Sequence, residues 1–296
     1  MELRHLRYFI KAAELLHFTK AAESLFISLP TLSAHIQQLE EEVGTELFSR
    51  IGRSVRLTES GELFLGHARQ SMRELEIAGE EINAIKGLLR GQLNVAALPL
   101  FSSAVLPGWM AEFNSLHPLV HIRARSGSSE DIEADLVSGS IDIGFGIMPV
   151  DHNELHTKEL FGSEVHLIVS TEHPLANKEV IEAADLDGLP TAMASHRIAS
   201  AKLMRDYFKD LGVSPNVIVE FDDAHALLNI ARLGRLATFI AMTHPADGPG
   251  LRQLRLPGKG VRFIAVAIWS RLTPAAKAFL ELASSQTVRF QPLISG

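Results

Sequence analysis

Residues 18–50 limit the possible folds more than any other part of the chain. They predict two short helices joined by a tight turn. Thr19 is placed to cap the first helix, and Ser28 and Pro30 to open the second, because a hydroxyl accepts hydrogen bonds from free helix N–H groups and a proline in the first turn breaks none. In the second helix four apolar residues recur at helical spacing, which predicts one buried stripe. They are Leu32, Ile36, Leu39 and Val43.

The other face of the second helix, which ends at Gly44, carries small and polar side chains. Such side chains can enter a DNA major groove, and Thr31, Ser33 and Gln37 are the best candidates for contacts to bases. Arginines then follow with no acidic residue before Glu59, which is typical of a segment that lies on phosphates. The candidate DNA-binding residues are Thr19, Ser28, Pro30, Thr31, Ser33, Gln37, Arg50, Arg53 and Arg56.

The net charge of −7 is unusual for a nucleic-acid-binding protein, but the charge is unevenly distributed. Up to residue 58 the basic and acidic residues balance, so the whole excess of negative charge follows that point. A basic surface on one face matters for DNA binding more than the sum over the chain. A neutral DNA-binding segment implies modest affinity per copy, and a dimer is therefore expected.

Residues 61–86 predict one long helix. Its apolar positions alternate at spacings of three and four, as in the seam of a coiled coil, and its other faces are polar. We interpret it as a linker helix that pairs two chains and fixes the distance between their DNA-reading helices. The alternative is a long helix packed on its own domain. The seam positions are Leu65, Ala68, Met72, Leu75, Gly79 and Ile82.

From residue 92 short apolar runs alternate with helical patterns, which predicts parallel βαβ units. Two similar α/β halves follow each other, and a last strand and helix return to the first half through crossovers near 158–162 and 258–263. The predicted strands are 93–98, 120–125, 141–147, 164–170, 217–221, 237–241 and 262–270. The predicted helices are 105–115, 129–138, 201–211, 224–233 and 274–284.

The order of a helix, a small-residue helix, a helix that starts at S-x-P, an arginine-rich wing and an L-T-x-x-G motif resembles the N-terminal winged helix-turn-helix of the LysR-type transcriptional regulators. The D-x-G-F-G run at 142–146 and the E-H-P-L-A run at 172–176 resemble the effector domain of the same family. The L-F-S-S run at 100–103 is similar to its cyanate-operon subgroup. The residues of the N-terminal match are Phe9, Ala21, Ala22, Ser28, Pro30, Leu32, Ser33, Ile36, Leu39, Glu40, Gly44, Leu47, Phe48, Arg50, Leu57, Thr58 and Gly61.

The resemblance covers essentially the whole chain and implies an α+β multidomain fold. Its parts are an N-terminal winged helix-turn-helix, a long linker helix and a C-terminal pair of α/β subdomains resembling periplasmic solute-binding proteins. The expected domains are 1–58 for DNA binding, 59–91 for the linker helix and hinge, and 92–296 for effector binding. Subdomain I is expected at 92–160 and 263–296, and subdomain II at 161–262.

The resemblance also implies the function and the partners. It implies a regulator that binds double-stranded DNA at an AT-rich inverted repeat in a promoter, under the control of a small molecule bound between the two subdomains. A dimer through the linker helix, a tetramer and contact with RNA polymerase are further expectations. Two positions depart from the family, which usually has Gln at the position of Leu29 and often Arg or Gln at that of Ala34. Leu29 cannot hydrogen-bond a base edge, so readout there is expected to be lost or replaced by contact with a thymine methyl.

In open α/β sheets a ligand lies beyond the carboxyl ends of the strands, near helix N-termini. Hydroxyls and an arginine predicted at these ends favour a small organic anion, with apolar residues as the wall. Ser128 and Ser129 are equally well explained as helix caps, whereas Ser102 and Ser103 match the family's effector-contacting position. The candidate effector-binding residues are Leu100, Phe101, Ser102, Ser103, Ser128, Ser129, Ile147, Ser195, His196, Arg197, Phe239 and Thr243.

An enzyme is the less favoured class, because the chain has no cysteine and no nucleophile-elbow, phosphate-loop or zinc-protease motif. His117 and His121 are separated by Pro118, and His152 and His156 fall in a predicted loop, so neither a metal nor another cofactor is expected. No membrane span and no signal peptide are predicted, and the expected location is cytoplasmic. The alternatives are a small-molecule sensor with weak DNA readout and an α/β enzyme with a DNA-binding appendage.

Overall fold

The structure, a computed structural model, describes residues 1–51, 54–85, 89–195, 199–221, 223–241 and 250–286. The chain divides into two compact units. The N-terminal unit comprises residues 1–88 with 138–140, and the C-terminal unit comprises 89–137 with 141–296.

The N-terminal unit packs helices and one hairpin around an aromatic and aliphatic core. The ring of Phe9 lies 5.4 Å from that of Phe48 and 5.2 Å from that of Phe64, which ties the first helix to the hairpin and to the last helix. Leu32 and Leu39 are completely buried in the same core. The elements are α1 (Leu3–Leu15), α2 (Phe18–Ser24), α3 (Leu29–Val43), β1 (Phe48–Ile51), β2 (Ser54–Leu57) and α4 (Glu59–Ile85).

Two details predicted for α2 and α3 are wrong, and the predicted end of α3 is confirmed. The prediction that Thr19 caps α2 is wrong, because the imidazole Nδ1 of His17 accepts the Lys20 N–H at 3.3 Å and the helix already starts at Phe18. Val43 is exposed rather than buried, because the last turn of α3 extends past the core. The predicted end of α3 at Gly44 is confirmed, with a left-handed φ of +83°.

The first half of the long helix α4 packs in the core of the N-terminal unit, whereas apolar residues of its second half are exposed. Leu65 and Ala68 are buried in the core of the N-terminal unit and Met72 packs against it, whereas Leu75 and Ile82 are exposed. Gly61 is required near the start of the helix, since a Cβ there would lie 2.0 Å from the carbonyl oxygen of Leu47. The first half of α4 therefore packs on its own unit, and the second half leaves apolar seam residues exposed on the surface of the single chain.

The described part of the C-terminal unit forms one mixed sheet of nine strands, in the order β4-β3-β5-β11-β6-β9-β7-β8 with β10 paired to β6. Parallel pairs lie at both ends, and β6 pairs antiparallel with β11 in the middle. The strands are β3 (Gly91–Ala97), β4 (Val120–Ser126), β5 (Ile143–Ile147), β6 (His156–Ser170), β7 (Pro190–Met193), β8 (Asn216–Glu220), β9 (Ala237–Ala241), β10 (Leu251–Arg255) and β11 (Val261–Trp269). The helices are α5 (Pro99–Ala104), α6 (Leu106–Leu116), α7 (Ser129–Val137), a 3-10 turn (Pro174–Asn177), α8 (Ala183–Leu186), α9 (Ala199–Leu211), α10 (Ala224–Leu233) and α11 (Pro274–Gln286).

The long strand β6 occupies the first predicted crossover, 158–162, whereas β11 begins at Val261, one residue before the strand predicted at 262–270. β6 begins at His156, eight residues before the predicted strand, and runs beside β11 through both halves of the sheet. Its first four residues are exposed and polar, so no apolar alternation marks them in the sequence. The elements β7, β10 and α5 were also not predicted, because the first two are short and α5 directly precedes α6.

The D-x-G-F-G run fixes the centre of the first half. A carboxylate oxygen of the buried Asp142 accepts the backbone N–H of Asn94 at 2.7 Å, which joins the start of β5 to β3. A Cβ on Gly144 would lie 2.6 Å from Cγ2 of Ile132, so glycine lets α7 pack directly on the sheet. These contacts hold Ile147, the last residue of β5, at the carboxyl edge of the parallel strands.

Candidate functional site

The exposed face of α3 is the candidate DNA-reading surface. The predicted cap is confirmed, because Oγ of Ser28 accepts the N–H of Thr31 at 3.3 Å and lies 2.7 Å from its hydroxyl. Pro30 stands exposed in the first turn, and Thr19 is exposed on α2. Gln37 is exposed on α3, where its amide donates to Glu41 at 3.1 Å.

Ser33 is half-buried, unlike its neighbours on this face. The outward positions Thr31, Ala34 and Gln37 follow each other at a spacing of three and present a narrow strip of small and polar side chains. A strip of this width suits the edges of successive base pairs in a major groove.

The hairpin β1–β2 supplies the predicted wing. Ser49 pairs with Arg56, whose side chain is exposed, and Arg50 pairs with Val55. The side chain of Arg50 and all of Arg53 lie outside the described residues. The sequence therefore places three arginines on this hairpin, and one of their side chains is described.

The carboxylate of Glu40 holds the wing to the end of the reading helix. Its Oε1 accepts the backbone N–H of Leu47 at 2.7 Å and that of Phe48 at 3.1 Å. Both residues are buried, so their N–H groups depend on this acceptor. Beyond the family match the sequence carries no signal for this role of Glu40, because a contact across seven residues leaves no periodic pattern.

The turn before α3 and the first residue of α3 each expose an apolar side chain. Phe26 is 96% exposed and has a left-handed φ of +56°, and Leu29 is 41% exposed. A left-handed backbone is strained for a bulky residue.

In the C-terminal unit a cavity lies where the carboxyl ends of β3, β5, β7 and β9 meet. Its volume is about 70 Å³. The described residues that line it all have apolar side chains. The first and second α/β halves both contribute, with Leu98 and Ile147 from one side and Met204 and Ala224 from the other.

Four of the predicted effector-binding residues line this cavity, namely Leu100, Phe101, Ile147 and Phe239. The placement of the two serines at the start of the helix after β3 is corrected: α5 begins at Pro99, so Ser102 and Ser103 stand in its later part. Their hydroxyls donate to the carbonyl of Pro99 at 3.0 and 2.9 Å, and that of Ser102 also donates to the hydroxyl of Ser126 at 3.2 Å.

The remaining predicted residues do not line the cavity. Ser128 acts as a cap of α7, since its hydroxyl accepts the N–H of Asp131 at 3.2 Å and donates to the carboxylate at 2.8 Å, and this bond lowers the pKa of the Asp131 carboxyl. Ser129 is the first residue of α7. Ser195 follows the cavity-lining Ala194. The predicted residues outside the described part of the chain are His196, Arg197 and Thr243.

Several cavity residues were not found from the sequence. Ala194 follows β7, so the rule that ligands lie beyond strand ends would have found it had this strand been recognised. Val165 and Phe263 lie inside the predicted strands 164–170 and 262–270, but the sequence does not show that β6 and β11 pair beside the cavity. Met204 and Ala224 carry only the apolar pattern of amphipathic helices, which does not separate a cavity wall from a core.

Two ionisable groups in the C-terminal unit, His173 and Tyr207, have shifted pKa values with structural explanations. Burial lowers the pKa of His173, whose Nδ1 accepts the N–H of Leu175 at 3.2 Å and caps the short turn of the E-H-P-L-A run. Burial raises the pKa of Tyr207 to about 12, and its hydroxyl donates to the carbonyl of Pro257 at 2.8 Å. Within the described ranges, no three His, Asp or Glu side chains are grouped so that they could hold a metal ion. Nor does any described helix have the length and hydropathy to span a membrane.

A helix that presents a polar strip beside an arginine-bearing hairpin, together with a two-halved α/β unit around a cavity, defines a ligand-responsive DNA-binding protein. Residues 3–62 match the family described as "Bacterial regulatory helix-turn-helix protein, lysR family". Residues 86–287 match the "LysR substrate binding domain". The chain belongs to the LysR family of transcriptional regulators, and the family and function predicted from the sequence are confirmed.

Characterised relatives cover most of the chain. The transcriptional regulator AlsR of Bacillus subtilis is 35% identical over 81% of this chain and 80% of its own length. The Hca operon transcriptional activator HcaR of Escherichia coli is 32% identical over 81% of both chains. The cyanate-operon subgroup stays a prediction.

Solved structures share the fold over the full length. A full-length variant of OxyR from Pseudomonas aeruginosa has a TM-score of 0.78 at 21% identity and covers 100% of this chain and 99% of its own. CbnR in complex with its target DNA has a TM-score of 0.68 at 24% identity and covers 96% of this chain and 99% of its own. The predicted fold class, a winged helix-turn-helix followed by a two-part α/β domain, is confirmed.

Proposed function

We propose that this regulator reads promoter DNA with the exposed face of α3 and changes its hold on that DNA when a small molecule fills the cavity of the C-terminal unit. The observation that carries the proposal is the position of the cavity, whose walls come from both α/β halves. A ligand that contacts both halves binds one of their arrangements better than another and so shifts the population. Through the packing of paired chains, that shift changes the spacing of the reading helices and the bend of the DNA.

On the DNA side, the proposal gives Thr31, Ser33 and Gln37 the contacts to bases. Thr19, Ser28 and Pro30 approach the backbone beside them, and Arg50, Arg53 and Arg56 lie on phosphates. The structure of CbnR with its target DNA supports a DNA-bound state for this fold. The proposed target is an AT-rich inverted repeat in a promoter.

Self-association is the second part of the proposal. The exposed Leu75 and Ile82 continue the seam of α4 beyond the part buried in its own unit. Paired α4 helices would cover them and form a dimer, and two dimers a tetramer. The proposal sets the domains at 1–58, 59–91 and 92–296, and adds contact with RNA polymerase, a cytoplasmic location and no catalytic activity, metal or cofactor.

A gel shift on the DNA upstream of its own gene tests the proposal. The purified full-length protein is titrated at physiological salt into this DNA and into a scrambled sequence of equal length. A preference of about a thousandfold or more for the upstream DNA is expected of a specific regulator. Equal affinity for the two at every salt concentration would contradict specific readout.

Leu29 favours a second candidate, a small-molecule sensor with weak DNA readout. It stands at the start of the reading helix and is 41% exposed, yet it cannot accept or donate a hydrogen bond to a base. Leu29→Gln restores the side chain that the family usually has there. A large gain in sequence preference on this change would identify Leu29 as the cause of weak readout.

The variant Ser102→Ala tests the effector side. We expect it to weaken the response to effector and to leave operator binding intact, because its hydroxyl lies beside the cavity-lining residues of α5. Ser115→Ala is the matched control, since Ser115 also donates to a carbonyl of its own helix, that of Glu112 at 2.8 Å, but on α6. Equal loss of operator binding and effector response in Ser102→Ala would give Ser102 a structural role only.

A further inference from the structure

The wall of the cavity restricts the chemistry of its occupant. Its described side chains are aliphatic, aromatic or thioether groups, and none is charged. A carboxylate pressed against such a wall loses its water without gaining a partner, and the cost of that transfer is far higher than for a neutral group. An occupant whose body lies in this cavity is therefore expected to be uncharged there.

One hydroxyl in the sheet beneath the cavity lacks a partner. Ser163 is 6% exposed, and its Oγ is buried with no hydrogen bond to any described residue. An unpaired buried hydroxyl is unfavourable and uncommon in native proteins. A ligand group that pairs with it would remove this cost.

The strand register puts Ser163 beside the cavity. On β6 the buried positions alternate, so Ser163 shares one face of the sheet with Val165. Across the ladder Ser163 pairs with Phe263 of β11. Val165 and Phe263 both line the cavity. The hydroxyl thus lies next to two of its wall residues on the same side of the sheet, although Ser163 is not itself among the described residues that line the cavity.

The volume of the cavity sets the size of the occupant. An engineered cavity of about 150 Å³ lined by Leu, Ile and Phe binds benzene or xenon. The cavity here, at about 70 Å³, has about half that volume. The part of the occupant that lies in it is therefore no larger than a single six-membered ring.

We propose that the effector carries an uncharged, ring-sized apolar body with one neutral hydrogen-bonding group, and that the Ser163 hydroxyl binds that group. The inference rests on the proposed function, because it takes this cavity as the effector site. It differs from the anionic effector expected from the sequence, which depended on Arg197 and on hydroxyls at the strand ends. Ser163 is then a specificity-determining residue outside the serines of α5.

Three probes of similar shape test this chemistry on the full-length protein: phenol, toluene and benzoate. Their affinities are measured at pH 7 by ligand-observed NMR titration without DNA. Phenol is expected to bind about 5-fold more tightly than toluene, the ratio of one net hydrogen bond. It is expected to bind at least about 10-fold more tightly than benzoate, which brings a charge to the apolar wall. Tighter binding of benzoate than of phenol, or no binding of phenol, overturns the proposed ligand class.

Variants then identify the hydroxyl. In Ser163→Ala the advantage of phenol over toluene should fall to about one, while toluene binds as before. Ser163→Cys keeps the size with only a weak donor and should give the same loss. Thr238→Val is the matched control, because Thr238 also has a buried hydroxyl without a described partner, but its ladder neighbours Ile168 and Ala192 do not line the cavity. Ser195→Ala tests a competing hydroxyl, because that of Ser195, beside the cavity-lining Ala194, is also buried without a described partner. If Ser163 binds the ligand group, Ser195→Ala keeps the advantage of phenol.

The outcomes separate this inference from the proposed function. Loss of the phenol advantage in Ser163→Ala and Ser163→Cys alone supports the assignment. Its persistence in both, or its loss in Ser195→Ala or Thr238→Val instead, overturns the assignment of Ser163. The same preparations are assayed for operator binding by gel shift. Specific operator binding without phenol binding would contradict the proposed ligand class but not the regulator function. Phenol binding without specific operator binding would contradict the regulator function but not the ligand class.

Discussion

The two units of this regulator build their sites in opposite ways. The DNA-reading strip of Thr31, Ala34 and Gln37 lies on one helix, within two turns of the chain, and its side chains are small or polar and exposed. The cavity collects residues from Leu98 to Phe263, and its described walls are apolar. A surface that recognises a long polymer can be local, because the partner supplies the rest of the geometry. A cavity for a small molecule needs several strand ends, and only the completed sheet brings them together.

A carboxylate that accepts backbone N–H groups supports each unit, half-buried in Glu40 and buried in Asp142, and the two act over different distances along the chain. In the N-terminal unit Glu40 accepts two N–H groups at the start of the wing, seven and eight residues away. In the C-terminal unit Asp142 accepts the N–H of Asn94 on a neighbouring strand, 48 residues away. If the units are as separate as these contacts suggest, a change in one support should leave the other unit intact.

Removing the support of the wing is the strongest test of this separation. In Glu40→Ala the buried N–H groups of Leu47 and Phe48 lose their acceptor, and we expect a loss of about 3 kcal/mol in the stability of the N-terminal unit. Hydrogen exchange followed by mass spectrometry would show faster exchange in residues 1–85 and unchanged exchange in the sheet around β6 and β11. Glu41→Ala, which removes an exposed partner of Gln37, should change stability by less than about 0.5 kcal/mol. Equal loosening of both units would mean that they fold as one.

Glycine substitutions sharpen the comparison unit by unit. Gly61→Ala places a Cβ 2.0 Å from a backbone oxygen, which cannot rotate away, and we expect a loss of about 2 kcal/mol confined to the N-terminal unit. Gly144→Ala meets the side chain of Ile132 and should loosen only the C-terminal unit. The control Gly66→Ala has open space in the same helix as Gly61 and should stabilise by about 0.5–1 kcal/mol. Thermal unfolding measures the change in stability of the three variants, and hydrogen exchange shows which unit is affected. A destabilising effect of Gly66→Ala would refute the steric explanation.

The same contrast explains what the sequence could predict. The cap at Ser28, the end of α3 at Gly44 and the buried Leu32, Ile36 and Leu39 all follow from signals within a turn or two. Most βαβ elements were also predictable, because a strand buried on both faces or an amphipathic helix has its own pattern. Thr19 failed as a cap because a neighbouring imidazole can accept the same bond, and single-residue rules do not rank such competitors.

The cavity was predicted only in part, for physical reasons. Leu100, Phe101 and Ile147 were found because they follow or end recognisable strands, and Phe239 because it lies inside one. Val165 and Phe263 meet only through the antiparallel register of β6 and β11, which no local pattern encodes. The unpaired hydroxyl of Ser163 is likewise invisible in the sequence, since a serine in a strand is ordinarily satisfied by water or by a neighbour.

On the DNA side, two variants separate the recognition of bases from the electrostatic attraction to phosphates. Gln37→Ala should cost about 1.5 kcal/mol at one base pair and relax the preference there, because an amide can recognise an adenine edge. Arg56→Ala should weaken binding to all sequences alike and reduce the slope of affinity against salt by about one unit. The measurement is binding to the operator and its single-base variants at several salt concentrations. If Gln37→Ala weakened binding to all sequences alike, Gln37 would not recognise a base. If Arg56→Ala weakened binding to only some sequences, Arg56 would contact bases rather than phosphates alone.

The smallest expected effect concerns the turn that precedes the reading helix. Phe26 has a left-handed backbone, which costs a non-glycine residue about 1–2 kcal/mol, and its ring is 96% exposed and returns no burial. Asparagine tolerates this conformation better, so Phe26→Asn should stabilise the N-terminal unit by about 1 kcal/mol in thermal unfolding. Phe26→Tyr keeps the same backbone cost and should change nothing. If Phe26→Asn is neutral, the turn relaxes around the ring in solution. If it is stabilising but weakens operator binding, the strained aromatic is retained for contact with DNA, and the site in this unit reaches one turn beyond the strip on α3.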